Sequence, residues 1–204
     1  MHEASSKHTK LIMDTAVELF KRQGYEAVSV NDICKAAGIA RSSFYLVFSG
    51  KKDIIDRLLA DVRLSSDELV RQLITAPNDY ERMWVLCCRY LDVALNFGPE
   101  LLGSLLRLEL MGELDLLGEV HRIDDWMKEL GKNCKAMGII RSPEPAEVIV
   151  PLSVSMVYFL TYEWCKCGGD FSLKDRARHV TESVLNVAEE YRWNKNRYGD
   201  EPRD

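Results

Sequence analysis

The 204-residue chain is short of the features that break, staple or anchor a fold. Twelve glycines and six prolines are too few for a collagen-like or low-complexity chain. Its six cysteines, at positions 34, 87, 88, 134, 165 and 167, form no CxxC pair. Neither a disulfide scaffold nor a structural metal site is therefore expected, and the thiols are read as reduced. No apolar stretch reaches the ~18 residues of a membrane span, and the longest run, Val148 to Leu160, is interrupted by Pro151. The first ten residues, MHEASSKHTK, are polar with no apolar run behind them, so a cytoplasmic chain without a secretory signal is expected. Alternating runs bounded by turn dipeptides, the mark of strands, are almost missing. So are a Ser/His/Asp order, HExxH, a P-loop and a dinucleotide fingerprint. Nothing in the sequence points to catalysis, and no cofactor is expected.

What is present is helical periodicity and an uneven charge. The net charge of −5 argues against a nucleic-acid partner. Its distribution reverses that argument, because residues 1–52 carry a surplus of Lys and Arg while the acidic excess lies in the remainder. Within the basic end, SVNDICKAAGIARSSFYLVF (29–48) organises the rest. Ser29 with Asp32 three residues on is a capping-box-like helix start, and Gly38 breaks that helix where the chain turns. A second short helix carries Arg41, Ser42, Ser43 and Tyr45 outward. Ile33, Ala37, Ile39, Phe44 and Val47 are free to point between the two helices, and Cys34 supplies the small side chain at their crossing. Helix, glycine turn, helix with a polar outer face is a helix-turn-helix. Before it, Ile12, Ala16, Leu19 and Phe20 fall on one helical face that Gly24 ends, completing a three-helix head.

Lys51 and Lys52 open the next helix. Two cations in a first turn oppose the helix dipole, which suggests a phosphate grip by lysine charge and free backbone N–H groups. That helix is predicted to run to about Thr75. Beyond it the pattern predicts an all-α body, with helices over 79–97 and 100–111 separated by Gly98-Pro99, then 117–137, 146–166 and 172–193. The helix at 79–97 is apolar nearly all round and therefore central. Val180, Val184, Val187 and Tyr191 continue one apolar stripe along the last helix, which the 148–160 run can cover.

The first 55 residues closely resemble the TetR family of bacterial transcriptional regulators. The matching residues are Ile12, Ala16, Leu19-Phe20, Gly24-Tyr25, Ser29-Val30-Asn31-Asp32-Ile33, Ala37-Gly38-Ile39, Phe44-Tyr45, Phe48, Lys51 and Asp53-Ile54-Ile55. The resemblance implies a head at 1–50 that binds DNA, and a body at 51–204 that binds a ligand and dimerises, in about nine helices. It implies a homodimer joined through its last two long helices, each head on one half of a pseudo-palindromic double-stranded operator. Carried over by position, Arg41, Ser42 and Ser43 would reach bases or nearby phosphates, and Ser29, Tyr45 and Lys51 the DNA backbone. Val28 stands where the family usually has threonine. Ala40 replaces the usual serine cap, a loss of about 1 kcal/mol. Leu46 and Val47 replace residues that are often polar.

The function so implied is a ligand-responsive, sequence-specific transcriptional regulator, a repressor released when a small molecule binds the body. Candidate ligand-binding residues are Trp84, Cys88, Glu109, His121, Trp126, Tyr158 and Tyr162, a mixture of aromatic walls and polar anchors. The alternatives are a redox or metal sensor acting through Cys165 and Cys167, and a helical enzyme or scaffold.

Overall fold

A computed structural model of the chain describes residues 2–64, 66–116 and 123–193. The expected helix start at Leu117, the candidate ligand residue His121 and the tail from Asn194 lie outside them. Among the described residues there are nine α-helices and no strand: α1 (His2–Gln23), α2 (Val30–Ala37), α3 (Arg41–Tyr45), α4 (Lys51–Leu64), α5 (Ser66–Thr75), α6 (Asp79–Leu110), α7 (Asp124–Ala136), α8 (Ala146–Lys166) and α9 (Leu173–Val184). A 3₁₀ turn, Glu189–Tyr191, follows. The fold is all-α, as the periodicity predicts.

The residues divide into two compact units that alternate along the chain, one of Met1–Leu69 with Val93–Leu116, the other of Val70–Asp92 with Leu117–Asp204. The expected boundary at 50/51 falls inside the first unit.

In the first unit, α1 buries Ile12, Ala16 and Phe20 completely, one face at i, i+4, i+8. Gly24 ends it at φ +81°, its N–H donating to the Phe20 carbonyl at 2.9 Å. A full capping box starts α2. Its end is a Schellman motif: Gly38 sits at φ +66°, Ile39 N–H donates to Cys34 O at 3.0 Å and Gly38 N–H to Lys35 O at 3.3 Å. Ile33, Cys34, Phe44 and Phe48 are buried with Val28, Ile54 and Ile55, while Ala37, Ile39 and Val47 are half-buried. Val28, the departure from threonine, is thus a core side chain.

The second unit is built on the first half of α6, which buries Tyr80, Met83, Trp84, Leu86 and Leu91. α8 packs against both α7 and α9. Gly131 of α7 is buried where the two helices cross, and a Cβ there would lie 2.5 Å from Val150 Cγ2 of α8. α8 is long and apolar enough, by length and composition, to cross a membrane. Within the unit one of its faces is buried through Ile149, Val150, Ser153, Val157, Thr161 and Trp164.

Two helix boundaries differ from the expected ones, and one expected break is found. The run from Lys51 to Thr75 is described as two helices, with Ser65 outside the described residues. The expected break at Gly98-Pro99 is present as a kink inside α6, where Gly98 is non-helical (φ 74°, ψ 165°). The last helix stops at Val184 rather than Trp193. Asn186 turns the chain at φ +49°, and Val187 pairs with Ile140 as an isolated antiparallel bridge. Arg141 N–H and Ser142 N–H donate to Asn186 O and Leu185 O at 3.0 and 3.2 Å. Val187 is buried by this pairing, not by a helical stripe.

Candidate nucleic-acid interface and ligand-binding residues

The outer face of the helix-turn-helix is built from α3. Phe44, fully buried, turns one side of α3 into the core and stacks near Phe48 at 5.7 Å between ring centroids. Arg41, Ser42, Tyr45 and Leu46 are consequently exposed and Ser43 half-buried. Arg41 donates to the Tyr45 hydroxyl at 3.4 Å, with its guanidinium 5.8 Å from that ring's centre. The pair therefore presents five-donor and phenol chemistry from one row, i and i+4. Ala40 makes no side-chain cap, as its residue type dictates.

The other two expected DNA contacts are engaged inside the head. The Ser29 hydroxyl donates to Asp32 Oδ2 at 2.5 Å and accepts Asp32 N–H at 3.2 Å. Ser29 N–H donates to the same carboxylate at 2.9 Å. These Ser29 bonds, side chain first, hold the Asp32 carboxyl below its ordinary pKa. Lys51 Nζ donates to Tyr25 O at 2.7 Å and Glu26 O at 3.4 Å, and lies 4.5 Å from the Tyr25 ring centre. Burial lowers its pKa. The lysine that opens α4 thus spends its charge on the turn between α1 and α2. Three more hydrogen bonds fix α4: Ser49 N–H donates to Asp53 Oδ2 at 2.9 Å, and Arg57 donates to Asp53 Oδ1 and to Val47 O at 3.1 and 2.5 Å.

The candidate ligand residues are dispersed. Trp84 is buried on α6 with the Arg178 guanidinium 4.8 Å from its ring centre. Cys88 is half-buried, and Tyr158 packs edge-on against Tyr90 at 4.8 Å. Trp126 and Tyr162 are about half exposed, at 47% and 50%. The Glu109 carboxylate accepts the N–H of Leu116 in a short hydrogen bond within the first unit.

Sequence reasoning missed the strongest polar feature of the second unit. Arg178 of α9, 5% exposed, meets Glu81 of α6 and Glu182 of α9 and lies against the rings of Tyr80 and Trp84. Nearby, Tyr80 and Tyr158 carry buried hydroxyls with no hydrogen-bond partner among the described residues, and so does Thr181. Burial drives both phenol pKa values up, so these groups are neutral donors. Only the polar residues punctuating the apolar runs could have signalled them.

Burial also pushes the Cys87 and Cys134 thiols up to about 12, which makes them poor nucleophiles. Cys165 is half-buried and Cys167 exposed. Among the described residues no group of three or more His, Cys, Asp or Glu is placed to hold a metal ion.

A capped helix, a Schellman turn and a short helix with a polar outer face define a helix-turn-helix protein. Within that class, residues 12–58 match the model of bacterial regulatory proteins, tetR family. Its relatives include the uncharacterized HTH-type transcriptional regulator YfiR of Bacillus subtilis, 28% identical over 90 residues, 44% of this chain and 42% of that one. The HTH-type transcriptional regulator EthR of Mycobacterium tuberculosis is 35% identical over 75 residues, 36% of this chain and 35% of that one. These matches span less than half of the relatives' length. A putative transcriptional regulator from Saccharomonospora viridis, solved in complex with choline, shares the fold over 90% of this chain and 99% of its own (TM-score 0.67, 22% identity).

Proposed function

We propose that the chain is a ligand-responsive, sequence-specific DNA-binding regulator, a repressor that leaves its operator when a small molecule binds outside the head. The observation that carries this reading is the α3 face: Phe44 fixes the helix from inside, while Arg41, Ser42 and Tyr45 stand exposed, Arg41 hydrogen-bonded to Tyr45. Arginine bidentate to guanine is the commonest specific base contact, and Ser42, Ser43 and Tyr45 supply bonds to bases or phosphates. Ser29 and Lys51 serve this face chiefly from behind, the first by capping α2 and the second by tying α4 to the Tyr25-Glu26 turn.

In this reading residues 1–50 bind DNA, and residues 51–204 bind the effector and dimerise. The α8 face opposite its buried one exposes Val148, Leu152, Met156, Phe159 and Tyr162, a continuous helical stripe. So large an apolar face on one helix supports a symmetric contact with a second copy. Because α9 ends early and turns polar side chains outward, α8 contributes most of that contact. The unpartnered hydroxyls of Tyr80 and Tyr158 support a small-molecule site near α6 and α8, with Trp84 and Cys88 on the same helix as Tyr80. The choline found in the S. viridis neighbour is consistent with a small-molecule effector for this chain.

Selection of duplexes from a random pool by the purified full chain tests the proposal. A recurring two-fold-symmetric site is expected, and a pool with no enriched sequence refutes it.

A further inference from the structure

The most exposed large apolar side chain among the described residues is Leu46, at 86%. It closes α3, its N–H donating to Ser42 O at 3.1 Å, in the αR conformation (φ −71°, ψ −22°). Two parallel rows therefore run along the outer face of α3, Arg41–Tyr45 and Ser42–Leu46, each i to i+4 and about 100° apart on the helix. Folding gains nothing from Leu46, since Phe44 and Phe48 already fill the space beneath α3. On a face otherwise made of an arginine, a serine and a tyrosine, an almost naked leucine has one counterpart among base edges in the major groove, the 5-methyl of thymine.

We infer that Leu46 is a specificity-determining residue that reads a thymine methyl beside the base contacted by Arg41. This rests on the DNA-binding reading above and adds to it one position of the operator. Arg41 selects by hydrogen bonds, and Leu46 selects by excluding water from a methyl group. A cytosine or adenine edge there would leave its exocyclic amine facing the leucine without a partner, which is the penalty side of the same discrimination.

Replacing each thymine of the selected duplex in turn by deoxyuridine removes only the methyl, and fluorescence anisotropy then gives the affinity of the full chain. The wild type is expected to lose about fourfold at one position per half-site, the worth of one buried methyl group. Leu46→Ala is expected to bind that duplex and its deoxyuridine counterpart equally, whereas Arg41→Ala keeps the methyl effect while losing affinity. Leu46→Asn, whose fold is checked by circular dichroism, should likewise be blind to the methyl. Identical deoxyuridine profiles for wild type and Leu46→Ala, or no sensitive position at all, overturn the inference while leaving the regulator reading intact. Failure to select any duplex overturns both.

Discussion

Arg178 reaches back 97 positions to hold Glu81 with both terminal nitrogens, at 3.1 and 2.5 Å. Its Nε donates to Glu182 at 2.8 Å, and the same Glu182 oxygen accepts Trp193 N–H at 2.8 Å. Desolvation pulls the Arg178 pKa down, but the hydrogen bond to Glu81 and the charges around it outweigh that and raise it. Arg178 and Glu182 together thus tie α6, α9 and the segment after the 3₁₀ turn. Replacing Arg178 by Met leaves two nearly buried carboxylates facing each other, and is expected to cost about 3–5 kcal/mol. Urea denaturation of the full chain measures this. Adding Glu81→Gln should recover part of the loss by removing one of the stranded charges.

The two caps of the head give it an acid limit. Asp32 is held below its ordinary pKa by Ser29. At Asp53 burial acts upward, but the Ser49 N–H and Arg57 outweigh it and lower the pKa. For carboxylates depressed in the folded state, the stabilisation is present above the unfolded value, about 3.9. It is lost as pH falls through the folded value. The unfolding midpoint should therefore decline below about pH 4, with a shallower decline in Asp32→Asn. Ser29→Ala should cost about 1 kcal/mol at neutral pH.

Lys51→Met separates a structural lysine from a phosphate contact. The ammonium donates to two backbone carbonyls and is only half-buried, so the variant should lose about 1 kcal/mol of stability. A free phosphate contact would instead change the slope of log affinity against log salt by about one. We expect the stability loss and a slope change well below one.

On α8, Phe159 is 57% exposed and stacks with Tyr162 at 6.3 Å between centroids. Phe159→Glu places a charge in the centre of the apolar stripe. Sedimentation velocity should show a dimer for the wild type and a monomer for the variant, with unchanged helicity; a dimer in both would move the interface elsewhere.

The head was largely legible because its signals are local. Gly24 and Gly38 mark left-handed turns, Ser29 and Asp32 sit at cap spacing, and Phe44 and Tyr45, adjacent in sequence, part to opposite sides of one helix. The ends of α8 were also readable, from the prolines before it and the glycines after it. Two things were not. The stripe Val180, Val184, Val187, Tyr191 keeps helical spacing, yet Asn186 turns the chain and Val187 pairs with Ile140, a contact that only tertiary structure supplies. Likewise Arg178 and Glu81 each look like solvated charges until folding brings α6 beside α9. The ligand residues suffered from the same blindness: aromatic and cysteine positions along a central helix look alike whether they pack or bind, and the exposed Trp126 and Tyr162 carry no local mark of their exposure.

Arg41 is the sharpest probe of the proposed sequence-specific DNA recognition by the α3 face. The most direct measurement is the affinity of wild type and Arg41→Ala for the selected duplex and for a scrambled duplex of equal length, across a salt series. The wild type should prefer its site by at least about a thousandfold at physiological salt. Arg41→Ala should lose roughly tenfold to a hundredfold on that site and little on the scrambled one. Equal affinity of the wild type for both duplexes at every salt concentration would contradict the account.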